Sequence, residues 1–390
     1  MKKKLEANIW KYYLYVLFGR AEFTVAIIVL FYLANNLTMY QVMILETVFT
    51  ITLFLVEVPS GIFADKYGRK LSLALSGFFL IISYLLLGFG TTLFIFILAR
   101  LFDALFWGLM SGSDSAFVYD TLKELKREKE YSKVFGRGNT IWMFLLASLS
   151  IIGAYLSNFF SFRELIFISC SIVFIGFLIS LTFKEPKFHK KIGDTNYISH
   201  LKAALSFAFN NKKIRNLMIY YTLVASFSFA LYFLIQAYYG TSNVSSTVLG
   251  IGVAFYFVFG GIGSMIAHKL NEKVSSENLL IFILLFSSLL YFGIFLVNPY
   301  FSLGFIALLS LLGGIRDLII DQEIHDSTES HHRATIISIK SLFRSVIYAI
   351  FAPLIGLIVD IYTPSMAFLM IGIVLLVFLF IMLFLFKFKK

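Results

Sequence analysis

Long apolar runs separated by short polar links repeat from one end of the 390-residue chain to the other. Each run is about 20 residues, the length a helix needs to cross a bilayer core of roughly 30 Å. The runs are continuous and lack strict period-2 alternation, which predicts helices and not barrel strands. Twelve spans are predicted, at roughly 9–34, 39–59, 71–89, 93–117, 136–158, 164–183, 215–238, 246–268, 278–297, 300–320, 334–359 and 364–386.

The links alternate in character. One set, "DKYGRK", "KELKREKEYSK", "KEPKFHKK", "HKLNEK" and "HHRAT" with the tails "MKKK" and "KFKK", is strongly basic. The other set, "NNLT", "FGTT", "SNFFSFRE", "GTSNVSS", "NPY" and "DIYTPS", has Arg163 as its one basic residue. Basic links stay on the cytoplasmic side, so both termini are expected there, in a multi-pass protein of the cytoplasmic membrane. The longest polar stretch, Lys184 to Asn216, divides the chain nearly in half. This predicts a six-helix bundle over 1–186, a linker over 187–213 and a second six-helix bundle over 214–390. Within the linker, Ile198, Leu201, Leu205 and Phe209 fall at helical spacing, the pattern of an amphipathic helix lying on a membrane surface. A faint internal echo, Gly61 to Asp65 against Gly263 to Ala267, supports a duplicated plan and loses the acid in its second copy.

Composition agrees. The hydrophobic fraction is 59% and only 14% of residues are charged, against about 25% in soluble domains; mean hydropathy is +0.87. The net charge of +11 is accounted for by the topology-setting links and does not call for nucleic acid. No small-residue cleavage site follows the first basic residues, so the first span is expected to stay. The single cysteine, Cys170, reads as a buried thiol.

One link stands out. "EVPSGIFADKYGRK", residues 57–70, packs glycines, a proline and charges of both signs between two apolar runs. Gly61 and Gly68 would allow close helix approach and a tight turn. Asp65 is an acid where bases are expected, so it needs a partner; Arg69 is nearest and Asp120 is a third member. The pattern Gly61, Ala64, Asp65, Lys66, Gly68, Arg69, Lys70 resembles the signature loop of the major facilitator superfamily. "EVPSG" and the later "RATIIS", residues 333–338, resemble a prokaryotic branch of drug and metabolite exporters. The resemblance implies an all-α integral membrane fold, twelve helices in two pseudo-symmetric bundles. It also implies that the Asp65 cluster latches the cytoplasmic side against the start of the eleventh span. The plainer reading, a surface turn whose charges only set orientation, stays open. Arg100 keeps half of a fourth-span motif, with Ala104 where a glycine is usual.

Ionisable groups inside the membrane cost at least about 2.5 kcal/mol each at mid-depth. The first half carries Arg20 and Glu22 in span one, Glu46 and Glu57 in span two, and Arg100, Asp103 and Asp114 in span four. Glu46 and Glu57, like Asp103 and Asp114, are eleven residues apart and would share a helix face. Arg20 and Glu22 are two apart and face differently, so each needs a partner elsewhere, Asp103 or Arg100. The second half crowds Arg316, Asp317, Asp321, Lys340 and Arg344 toward one end of spans ten and eleven. By resemblance, spans one, four, seven and ten line a central cavity. That makes Arg20, Glu22, Arg100 and Asp103, with Glu46, the candidates for proton and substrate handling, against purely structural salt bridges. Tyr220, Tyr221 and Tyr232 could line the same cavity. His325, His331 and His332 lack rigid metal-ligand spacing, and no phosphate-binding loop is present, so neither metal nor nucleotide cofactor is expected. The expectation is a monomeric secondary transporter, not an enzyme, driven by the proton gradient and exporting a small organic solute. A nutrient symporter, a facilitator and a non-transporting sensor are the alternatives.

Overall fold

The computed structural model describes residues 2–187, 208–242, 244–328 and 330–387. Every regular element among them is helical. In chain order these are α1 (Lys2–Gly19), α2 (Ile28–Ala34), α3 (Met39–Tyr67), α4 (Arg69–Phe89), α5 (Leu93–Met110), α6 (Ser113–Glu124), α7 (Tyr131–Leu156) and α8 (Phe162–Leu181). After the linker come α9 (Lys212–Thr241), α10 (Ser246–Asn271), α11 (Ser276–Leu296), α12 (Pro299–Asp326), α13 (Ser330–Ile361) and α14 (Pro364–Lys387). Eleven spans among the described residues are long and apolar enough to cross a membrane, α5 with α6 making one of them. The chain divides into two units, Met1–Leu37 with Leu45–Gly193, and Thr38–Ile44 with Asp194–Lys390.

Three predicted elements differ from the structure. Span one is not continuous: α1 stops at Gly19, residues 20–27 are irregular, and α2 resumes at Ile28. Span four breaks at Ser111–Gly112, where Gly112 has φ 74°, so Asp103 and Asp114 do not share one helix face. Span two runs on through Pro59 to Tyr67, and the predicted link of 65–70 shrinks to a one-residue turn at Gly68. Of the linker's amphipathic positions, Ile198, Leu201 and Leu205 lie outside the described residues; Phe209 is described and exposed.

In unit 1, α4 packs between α5 and α8, and α1 packs on α8 and α7. Glycines make the tightest crossings: a Cβ on Gly176 would collide with the backbone of Gly19. Arg163 ties three links of this unit together, donating to the carbonyls of Gly88 (2.5 Å) and Gly90 (2.8 Å) and to Asn35 Oδ1 (2.7 Å). In unit 2, α10 packs on α12 through Gly260, Gly263 and Gly314. There α11 packs on α14, and α9 on α13. The first turn of α3 belongs to this unit. Asp360 of α13 accepts from the backbone N–H groups of Met39 (2.7 Å) and Tyr40 (2.8 Å), a carboxylate on the positive end of a helix.

Candidate functional site

The break in span one positions the first group of charges. Apolar packing does not by itself open a helix, and irregular backbone inside a membrane protein must find partners. Here Phe23 N–H donates to Ser169 Oγ (3.0 Å) and Ile27 N–H to the Thr24 carbonyl (2.9 Å). Gly153 of α7 makes room, since a Cβ there would strike the Phe23 carbonyl. Arg20 leaves the end of α1 and pairs with Asp114 at 2.6 Å, both side chains buried. Its partner is therefore neither Asp103 nor Arg100, as the sequence reading supposed, because the turn at Gly112 swings Asp114 into reach. The guanidinium also lies 5.6 Å from the Trp142 ring centre. Two helix breaks, one in span one and one in span four, are thus joined by an ion pair.

Glu22 differs from every other acid of unit 1's interior. Its one hydrogen bond among the described residues is from Thr24 Oγ1 at 3.4 Å, and none of their cations lies at ion-pair distance, although Arg100 is near enough to be felt through space. Arg100 instead binds two other carboxylates, Glu46 at 2.7 Å and Asp103 one turn along α5. Its guanidinium sits 4.3 Å from the Phe49 ring centre. Glu46 is buried in this pair. A cavity of about 40 Å³ is lined by Arg20, Glu22, Tyr32, Arg100, Asp103 and Trp142 among others, room for a water molecule. The Tyr32 hydroxyl there is buried without a hydrogen-bond partner among the described residues.

The charged link is built around one turn. Asp65 and Arg69 pair across Gly68 as expected. Gly68 has φ 104°, a backbone that favours glycine, and a Cβ there would lie 2.8 Å from Glu185 Cδ. Glu185 caps α4, accepting from the N–H groups of Arg69 (2.8 Å) and Lys70 (2.7 Å). Sequence reasoning missed this acid because it lies 116 residues from Arg69. Gly61 does not serve a close approach: a Cβ there would meet nothing within 4 Å. Asp120 lies half-buried on α6, and Glu57 is exposed on α3.

Unit 2 holds its charges differently. Buried Arg316 pairs with Asp317 at 2.8 Å and donates to Ser228 Oγ at 2.7 Å; buried Lys340 pairs with Asp321. Tyr221 lies beneath both cations, 4.2 Å from Lys340 Nζ and 6.0 Å from the Arg316 guanidinium. Arg344 lies 5.6 Å from the Phe229 ring centre. Tyr220 is fully buried, donating to the Leu280 carbonyl at 2.8 Å, and so packs the unit, the other of the two roles open to it in the sequence. The side chains of His331 and His332 lie outside the described residues.

Comparison with known proteins bears on the family and the fold. The family model for the Major Facilitator Superfamily matches residues 13–321. An uncharacterised MFS-type transporter of Bacillus subtilis (strain 168), YxaM, is 23% identical over 361 residues, 90% of this chain and 88% of that protein. The crystal structure of the nucleoside transporter NupG superposes with a TM-score of 0.79 at 14% identity, covering 100% of this chain and 99% of that one. A D-xylose–proton symporter superposes at 0.65, also at 14% identity, over 100% and 97%. At such identities the superpositions establish the fold alone. With a family model spanning most of its length and a two-unit helical fold to match, this chain belongs to the major facilitator superfamily, whose members are membrane transporters.

Proposed function

We propose that the protein exports a small organic solute across the cytoplasmic membrane in exchange for protons, by alternating access, with both termini in the cytoplasm. Glu22 carries the reading. Protonating Asp103 or Glu46 would dissolve an ion pair with Arg100, whereas protonating Glu22 dissolves none. A carboxyl at a break in a cavity-lining span, facing room for water, is suited to load and release a proton. Asp103, Glu46 and Arg100 hold fixed charge beside it, and Arg20 with Asp114 holds the broken helices in place. The Asp65–Arg69 pair at Gly68, with Asp120, is read as the cytoplasmic latch. The solute binds as substrate, and no further cofactor is needed.

The test uses proteoliposomes loaded with a pH-sensitive dye and offered uridine, D-xylose, 5-aminolevulinic acid and ethidium in turn. Entry of a substrate in exchange for protons makes the lumen alkaline; symport makes it acidic; a facilitator leaves it unchanged. Glu22→Gln is expected to keep substrate exchange without a gradient while losing about tenfold or more of pH-driven accumulation. Full accumulation in that variant overturns the assignment of Glu22, and acidification by a transported probe overturns export.

A further inference from the structure

We propose that a groove between α9 and α13 of unit 2 is a site for an anionic phospholipid, the acyl chain in the groove and the headgroup on Arg215 and Lys212. The groove has a volume of about 270 Å³ and is lined by Phe209, Met218, Ile219, Phe343 and Phe351, with Arg215 the one charged wall among the described residues. Both helices are long and apolar enough to cross a membrane, and the rim is exposed and apolar, with Ile219, Val346 and Ile350 uncovered by the described residues. In a bilayer, such a surface meets acyl chains.

What selects an anionic head is the end at which the charge lies. Arg215 is in the first turn of α9, and its Nη1 donates to the Phe209 carbonyl at 2.9 Å, which fixes the guanidinium at the groove's mouth. Lys212, exposed, is at the same end. Lys213 is neutralised by Glu323 at 2.5 Å, while neither Lys212 nor Arg215 has a carboxylate partner among the described residues. Asn211 caps the helix, accepting from the N–H groups of Lys213 and Ile214, both at 3.1 Å, so the positive end of the α9 dipole adds to the two cations. An apolar slot closed at one end by uncompensated positive charge matches an amphiphile with an anionic head, and the membrane supplies that chemistry as phospholipid. Each cation near a membrane surface is worth about a fivefold preference for anionic lipid.

The full-length protein in detergent is titrated with dioleoyl phosphatidylglycerol or dioleoyl phosphatidylcholine. Lipids retained in native mass spectra and the thermal midpoint are read. Phosphatidylglycerol should be retained preferentially and raise the midpoint more. Arg215→Gln should cut that preference about fivefold, and Lys273→Gln, an exposed base on another link, should leave it intact. Ile219→Trp, or the smaller insertion Ile347→Phe, should abolish retention of the tightly held lipid. Unchanged preference in Arg215→Gln, or an equal loss in Lys273→Gln, overturns the site in favour of diffuse charge. Retention surviving both groove-filling variants also overturns it. If free oleate occupies the groove and phosphatidylglycerol gives no protection, the site takes a soluble amphiphile and the phospholipid assignment fails.

Discussion

Arg20 and Asp114 hold their ion pair with side chains only 5% and 11% exposed. Such a pair adds little net stability over an apolar substitute, yet losing one member strands a charge. Asp114→Asn should therefore cost about 3–5 kcal/mol, and Arg20→Met with Asp114→Leu should cost less than either single change. Thermal unfolding in detergent can be followed with a thiol-reactive dye, because Cys170 is buried in the folded protein. If the double variant is as unstable as Asp114→Asn, the cost comes from packing and not from the stranded charge. The identity of the pair was not legible in the sequence. Every charge in it was, since an ionisable residue in an apolar run announces itself by cost. Which carboxylate Arg20 meets depends on two breaks in helices 94 residues apart, and no local spacing encodes that. Glu185 was hidden for the same reason. Asp65 with Arg69 and Arg100 with Asp103 were legible, being four and three residues apart on or across a single turn.

Among the elements, the number and order of the later spans followed the hydrophobic pattern, because water and lipid sort residues by polarity, while helices such as α3 run on past their apolar stretch, to Tyr67. The breaks did not: residues 20–27 carry Arg20, Glu22 and Thr24 among apolar neighbours, and no glycine or proline there marks a helix end. The break is accommodated where Gly153 of α7 leaves room for the Phe23 carbonyl. Gly153→Ala would drive a methyl into the Phe23 carbonyl and should destabilise by about 1–3 kcal/mol, the usual cost of overpacking. It should also lower transport by displacing Arg20 and Glu22. Gly136 lies on the same helix, and a Cβ there meets nothing within 4 Å, so Gly136→Ala should be neutral or stabilising by up to about 1 kcal/mol. Equal behaviour of the two variants in unfolding and flux would show that the break does not depend on Gly153. At the Gly68 turn, sequence did suffice. A positive φ needs glycine, and the pattern of charges on either side marks the place where one helix ends and the next begins.

At the scale of the whole molecule, the distribution of basic links sets orientation, and orientation sets what the charged turn can do. Lys66, Arg69 and Lys70 surround Asp65 in one link, whereas the link before α3 contains no base at all between Asn35 and Met39. Moving the first set across the membrane would cost several kcal/mol for each charge, so insertion should leave that end in the cytoplasm. With Cys170 replaced by serine, single cysteines at Asn36 and Ser242 should react with an impermeant maleimide added to intact cells, and one at Ser132 should react only after the membrane is opened. Asn36 has φ 61°, a conformation that cysteine adopts poorly, so Asn35→Cys gives a second probe of the same link. Reaction at Ser132 in sealed cells would place the Asp65 turn outside. It could then not be a cytoplasmic latch, and Asp65→Asn, expected to slow transport while leaving the amount of protein in the membrane unchanged, would have to be explained by the turn's packing on Glu185 alone.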